Sequence, residues 1–332
     1  MPDFPFPDFM EMCVRKLFWA GAIVLSALAG AAMAQAPAGP AARIQAAYEA
    51  MPDTAGTGPF PALKLVDPSL PDHVVYRPAD LAKLGRKKLG VLIWGNGGCR
   101  DDGASARLHL AEIASHGYLV VAPGKVLTGP GAPAGPRPSR RPDASGALPP
   151  VATTTADVLE GLDWALAENG RPGSPYYRRI DPSAIAVAGH SCGGLQAIQA
   201  GADPRIRTVI VHNSGIFADG SNPISGVTVD KSMLKALHTP VLYVLGGRSD
   251  VAWPNGSDDF ARIDHVSAML VTSDVGHGGT FKQANGGSVA RIAADWLDWQ
   301  LRGDRRAGRT FTGPSCGLCL DPSWKVQKKG FR

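Results

Sequence analysis

The stretch Val187-Ala188-Gly189-His190-Ser191-Cys192-Gly193-Gly194 carries the pattern G-x-S-x-G. An apolar run, Ala184-Ile185-Ala186-Val187-Ala188, leads into it. A small-residue, helix-compatible run, Gly194-Leu195-Gln196-Ala197-Ile198-Gln199-Ala200, follows. Strand, sharp turn and helix in that order is the setting that lifts a serine hydroxyl clear of a sheet. Glycine suits both sides of so crowded a turn because it has no Cβ. The five-residue pattern alone is unspecific and also fits a glycine-rich structural turn. Its flanks make Ser191 a candidate nucleophile.

Outward from this turn, apolar runs alternate with helical patterns. Strands are expected over residues 73–78, 89–94, 118–122, 206–212, 240–245 and 268–272. Helices are expected over 105–116, from a Thr153 or Thr154 cap to 169, near 231–237, and over 288–301. Strands alternating with helices predict an α/β fold with a mostly parallel central sheet and helices on both faces. No internal repeat is present. Residues 127–150 are crowded with Pro, Gly, Ser and Arg, and read as a long surface loop near the site.

The 332 residues are 44% hydrophobic and 19% charged, enough for one large core. The formal net charge is +5, and the basic runs Arg86-Lys87-Lys88, Arg140-Arg141 and Arg305-Arg306 lie far apart. No basic block is interleaved with aromatics, which argues against a nucleic-acid partner.

Near the amino terminus, Arg15-Lys16 precede an apolar stretch over 17–29, and Ala32-Met33-Ala34 offers a small-residue cleavage site. Residues 1–34 therefore read as a secretory signal peptide, with Met12 as an alternative start and an uncleaved anchor as the competing reading. No stable membrane span is expected after processing. Residues 35–72 read as a loose lead-in with a short helix over 41–51, residues 73–302 as one catalytic domain, and residues 303–332 as a tail. Localisation is expected to be secreted or periplasmic.

A serine hydroxyl attacks only when a base takes its proton, and the base needs a third group to fix its tautomer. Asp250 and His277 each lie just past a strand, in the glycine-rich segments Gly246-Gly247-Arg248-Ser249-Asp250 and Gly276-His277-Gly278-Gly279. The order Ser191, Asp250, His277 suits this scaffold. His190, His212, His238 and His265 are weaker candidates for the base. Asp258, Asp259, Asp264 and Asp274 are weaker candidates for the acid. The tetrahedral intermediate needs two N–H donors: Cys192 for one, and Asn96 or Gly97, after the strand at 89–94, for the other. That loop lacks the Lys-Ser/Thr ending of a phosphate-binding loop, and no cofactor is expected.

These pieces resemble the α/β-hydrolase fold, in particular its secreted dienelactone-hydrolase-like and cutinase-type polyester hydrolase branch. The residues that carry the resemblance are Val91 to Gly98, the run Ala111 to Val121, G-H-S-C-G-G at 189–194, Gly246 to Asp250 and Gly276-His277-Gly278. The resemblance implies a Ser191, Asp250, His277 triad acting on a small-molecule or polymeric ester. Two departures stand out: Cys192 where that branch often has Met, and Asn96 where its polyester hydrolases tend to have an aromatic residue. Trp94 and Trp253 are the candidates for a substrate-facing aromatic surface in its place.

The expected function is thus an exported serine ester hydrolase. The alternatives are a peptidase or acyltransferase on the same residues, and a non-catalytic binding protein that keeps the fold.

If residues 1–34 are removed, four cysteines remain: Cys99, Cys192, Cys316 and Cys319. Cys316-Gly317-Leu318-Cys319 lacks the second pair a zinc site needs, and it lies outside a thioredoxin-like context. A local Cys316–Cys319 disulfide is expected. Cys99 and Cys192 are expected to be free, because a bridge there would tie both oxyanion donors and must meet narrow geometry.

Overall fold

The computed structural model describes residues 39–134, 150–218 and 221–331. The signal-peptide reading of 1–34 and most of the irregular stretch at 127–150 fall outside these residues.

The chain runs α1 (Pro40–Ala50), β1 (Ala62–Asp67), β2 (Leu70–Pro78), β3 (Leu89–Gly95), α2 (Arg107–Ser115), β4 (Tyr118–Pro123), α3 (Thr155–Gly170), β5 (Ile180–His190) and α4 (Cys192–Ala200). It continues through β6 (Thr208–His212), β7 (Val241–Leu245), α5 (Trp253–Arg262), β8 (Ala268–Thr272), α6 (Gly287–Arg302), α7 (Arg305–Gly308), α8 (Gly317–Leu320) and β9 (Lys325–Lys329). The strands form a nine-stranded sheet in the order β1-β2-β4-β3-β5-β6-β7-β8-β9. From β4 to β8 the neighbours are parallel. The pairs β1/β2, β2/β4 and β8/β9 are antiparallel.

A parallel strand with helices on both faces is apolar along its whole length. In β3, Val91 and Ile93 point into one core, while Leu92 and Trp94 point into the other. All four are fully buried, each contributing on the order of 1.5–3 kcal/mol. Side chains of α3, α4 and α5 cover the first face, and those of α2 and α6 the second. Thr154 starts α3 with a capping box: its side chain accepts from the Asp157 N–H, and Asp157 reaches back to the Thr154 backbone.

Connections from the neighbouring strands β3 and β5 depart on opposite faces. From β3 the chain passes through α2 to β4, and from β5 it passes through α4 to β6. Their carboxyl ends therefore flank a crevice where the winding reverses, the usual ligand position in such sheets. Register aligns these ends, with Gly95 opposite Gly189 and His190 opposite His212.

The sheet extends further along the chain, at both ends, than the apolar pattern predicts. Residues 35–72 are not merely a loose lead-in: besides the expected short helix, present as α1, they hold all of β1 and the start of β2. The tail is not outside the core either. β9 pairs with β8 along its full length, and Phe311, Leu318 and Trp324 are buried against the second face. Its sequence, Lys325-Val326-Gln327-Lys328-Lys329, has one apolar residue, because an edge strand packs little and is protected by charge. α5 has no counterpart among the expected helices. Its sequence, WPNGSDDFAR, carries turn-forming residues in its first half.

Candidate active site

At the end of β5 the chain turns so sharply that Ser191 adopts φ +55° and ψ −124°. For a non-glycine residue this costs on the order of 1–3 kcal/mol, and such strain persists where surrounding structure holds it. The Ser191 N–H donates to the His212 carbonyl at 3.0 Å, and the Gly194 N–H to the Ser191 carbonyl at 2.8 Å. Glycine is required on either side. A Cβ on Gly189 would strike the Gly193 carbonyl, and one on Gly193 would strike the Gly95 carbonyl. The Ser191 side chain is thereby held at the start of α4, facing the crevice between β3 and β5.

The structure brings Ser191, His277 and Asp250 into one hydrogen-bonded chain. Ser191 Oγ lies 2.9 Å from His277 Nε2. His277 Nδ1 lies 2.7 Å from Asp250 Oδ1. Asp250 follows β7 and is buried, while the His277 ring, after β8, is about a third exposed (36%). Asp250 Oδ1 also accepts from the Ala252 N–H at 2.9 Å. Its Oδ2 accepts from the Asn213 amide at 2.8 Å and the Gly246 N–H at 3.1 Å. Burial by itself would raise the Asp250 pKa. The hydrogen bonds from His277, Ala252, Asn213 and Gly246 outweigh it and hold the carboxyl down at about 2. Asp250 is therefore an anion that fixes the His277 Nδ1–H tautomer and leaves Nε2 to accept from Ser191.

The other candidates lie elsewhere. Asp259 is bound to Lys231 at 2.6 Å and to the Ile216 N–H at 2.8 Å. Asp274 accepts from Ser249. His265 donates to the Leu237 carbonyl. His190 contacts the site without pointing at Ser191. Its Nε2 donates to the His277 carbonyl at 2.8 Å, and burial lowers its pKa to about 4.

The Cys192 N–H sits at the first position of α4, where a helix supplies no acceptor of its own. Asn96 and Gly97 lie opposite, past the end of β3. Asn96 is fully buried, and its amide donates to the carbonyls of Pro123 and Arg100 at 2.6 and 2.9 Å. Gly97 is partly exposed.

Two expectations need correction. Cys99 and Cys192 are not free: they form a disulfide, with Cα atoms 5.3 Å apart, and Cys316–Cys319 is bridged as well. Their nearness across the site was expected; the bridge was not, and the alignment of β3 with β5 brings the two Cα atoms within the narrow range a disulfide accepts. Trp94 cannot wall a substrate, because it is fully buried on the second face of the sheet. Trp253 is partly buried, packs against the first face and opens α5.

Sequence reasoning missed Asn213 and Phe281. Asn213 follows β6 with φ +46°. Besides Asp250, its amide reaches the Gly276 carbonyl at 3.1 Å, so it joins the two loops that carry Asp250 and His277. Its position just past a strand, at the same end of the sheet as Ser191, was the available signal. Phe281 packs against His190 in a tilted contact and against His109 and His212 edge to face, with ring centroids 4.8, 4.8 and 5.5 Å away. Burial holds His109 at a pKa of about 3 and His212 well below the ordinary value. The floor behind the site is thus uncharged.

Among the described residues no group of three or more His, Cys, Asp or Glu side chains is placed to hold a metal ion, and no helix is long and apolar enough to cross a membrane. Comparison with models of known protein families gives no match, and comparison with curated proteins gives none either.

Proposed function

We propose that this protein is an exported serine hydrolase of the α/β-hydrolase fold that cleaves carboxylic esters. The observation that carries this reading is the unbroken hydrogen-bond chain Ser191–His277–Asp250, set at the strand ends where the sheet's winding reverses. A buried aspartate, a histidine tautomer fixed by it and a serine on a strained turn are the parts nucleophilic acyl transfer needs. The two disulfides support residence in an oxidising compartment.

In this mechanism Ser191 Oγ attacks the ester carbonyl carbon as its proton passes to His277 Nε2. The carbonyl π electrons move to oxygen, and the oxyanion is met by the Cys192 N–H and by the N–H of Asn96 or Gly97. Asp250 stabilises the imidazolium without taking its proton. The intermediate collapses, the C–O bond to the alcohol breaks, and His277 protonates the departing oxygen. The acyl group is left on Ser191. Water then attacks this acyl-enzyme, giving its proton to His277, and the second intermediate releases the carboxylic acid and restores the Ser191 hydroxyl. His190 and Asn213 hold the His277 and Asp250 loops in place during both halves.

The test is labelling with a fluorophosphonate together with turnover of p-nitrophenyl acetate. Wild type should be labelled at Ser191 and should turn over, and Ser191→Ala should do neither. Equal labelling of Ser191→Ala would move the nucleophile elsewhere. A pure, folded wild type inert to both reagents would end the hydrolase reading.

A further inference from the structure

We propose that the Cys99–Cys192 disulfide is the positioning device of the oxyanion hole, acting on turnover and not only on stability; the inference rests on the serine-hydrolase reading above. Cys192 directly follows Ser191, and its N–H is one of the two oxyanion donors. Cys99 closes the turn that carries the other: the Cys99 N–H donates to the Asn96 carbonyl at 2.9 Å, across Gly97 and Gly98. The bridge therefore joins the two donor-bearing segments, which are 93 residues apart in sequence.

The loop after β3 needs such a link. Gly97 and Gly98 carry no side chains to anchor it, and Gly98 has φ +67°. Glycine loses more backbone freedom on ordering than any other residue. Cys99 itself has φ +46°, a left-handed conformation that a non-glycine residue keeps only when its surroundings impose it. Those surroundings are specific. The Cys99 carbonyl accepts from the Ala152 and Thr153 N–H groups at 2.9 and 3.0 Å, its side chain is tied to Cys192, and both cysteines are buried. On the other side, the Asn96 side chain is fixed by the Pro123 and Arg100 carbonyls. The turn from Asn96 to Cys99 is thus pinned at both ends, and the Cys99 pin is attached to the residue that supplies the other donor.

The consequence is kinetic. An oxyanion donor matters most when charge has developed on the carbonyl oxygen, and one displaced by about 1 Å loses much of that stabilisation. Substrate binding in the ground state depends on it far less. Loss of the bridge should therefore lower kcat and leave KM nearly unchanged. Loss of a bridge that only stabilised the fold would lower the melting temperature and leave kcat intact below it.

The experiment compares wild type with Cys99→Ala/Cys192→Ala on p-nitrophenyl acetate at 15 °C, with near-UV circular dichroism as the check on folding. The expected result for the folded variant is a kcat lower by about a hundred-fold, with KM within about three-fold. A boronic acid, whose tetrahedral adduct mimics the intermediate, should bind more weakly by a similar factor. A folded variant with kcat within about three-fold of wild type would overturn the proposal.

If the double variant does not fold, the bridge is opened with a phosphine in a Cys316→Ala/Cys319→Ala background, and the new thiols are mapped to Cys99 and Cys192 by mass. Loss of kcat with the near-UV spectrum preserved supports the proposal. Retained kcat overturns it, and so does loss of kcat only in step with loss of the spectrum. Failure of the hydrolase reading looks different, because the bridged wild type would then be inert and unlabelled.

Discussion

His190 donates its Nε2–H to the main-chain carbonyl of His277 at 2.8 Å, and the two imidazole rings lie 5.2 Å apart. The residue before the proposed nucleophile thus holds the backbone of the proposed base, linking the end of β5 to the loop after β8. His190 also packs against Phe281, 4.8 Å between centroids. Ser191 and His277 are separated by 86 residues, yet their 2.9 Å contact is braced by the residue next to Ser191.

Removing that brace should be felt in turnover. His190→Ala is expected to lower kcat by about ten- to a hundred-fold with little change in KM, because His277 Nε2 loses its aim at Ser191. His190→Gln keeps an N–H donor and should recover part of the loss. Steady-state kinetics on p-nitrophenyl acetate decide it; an unaltered kcat in His190→Ala would show that the contact does not position His277.

Asp250→Asn should lower kcat by on the order of 10³–10⁴-fold, because an amide can no longer hold the Nδ1–H tautomer. Its hydrogen bonds from Ala252, Asn213 and Gly246 were set for a carboxylate, so some stability is lost too. Full activity in this variant would transfer the acid role to another carboxylate.

The buried histidines predict the response to acid. Burial lowers the pKa of His109 to about 3 and of His190 to about 4, and it holds His212 well below the ordinary value. In the unfolded chain each returns to about 6.5. Between those limits the unfolded state binds more protons, so folding stability falls as pH drops below about 6.5. Among the described residues neither ring nitrogen of His109 has a hydrogen-bond partner. His109→Phe should therefore raise the melting temperature at pH 5 more than at pH 8. A calorimetric difference of the same size at both pH values would contradict this.

The two disulfides should differ in their effect on stability. Cys99–Cys192 closes a loop of sequence separation 93, and Cys316–Cys319 one of 3. Chain entropy then assigns about 4.7 kcal/mol to the first and about 2 kcal/mol to the second. Urea unfolding of the two Cys→Ala double variants measures the gap. Equal losses would mean that the tail bridge also braces α8 and β9 in the folded state.

Much of the central sheet was legible in the chain. β8 falls on the expected residues, and β7 and α6 fall within a residue or two of theirs. A parallel strand covered on both faces must be apolar throughout, and that demand is local. Ser191, Asp250 and His277 were legible for a related reason. Each is a polar residue in a glycine-rich segment just past an apolar run, so strand direction alone carries all three to one end of the sheet.

What the chain alone left open was every relationship that depends on pairing. β1 and β9 are edge strands whose alternation is weak because only one side of each has a neighbour. Asn213 and His190 act through partners 37 and 87 residues away. Trp94 had to be either a surface or a core residue, and the face on which α2 and α6 pack decided for the core. Cys99 meets Cys192 only because β3 lies beside β5 with Gly95 opposite Gly189. Register is a property of two strands together. No single segment encodes it, and so the bridge across the site belonged to the tertiary structure.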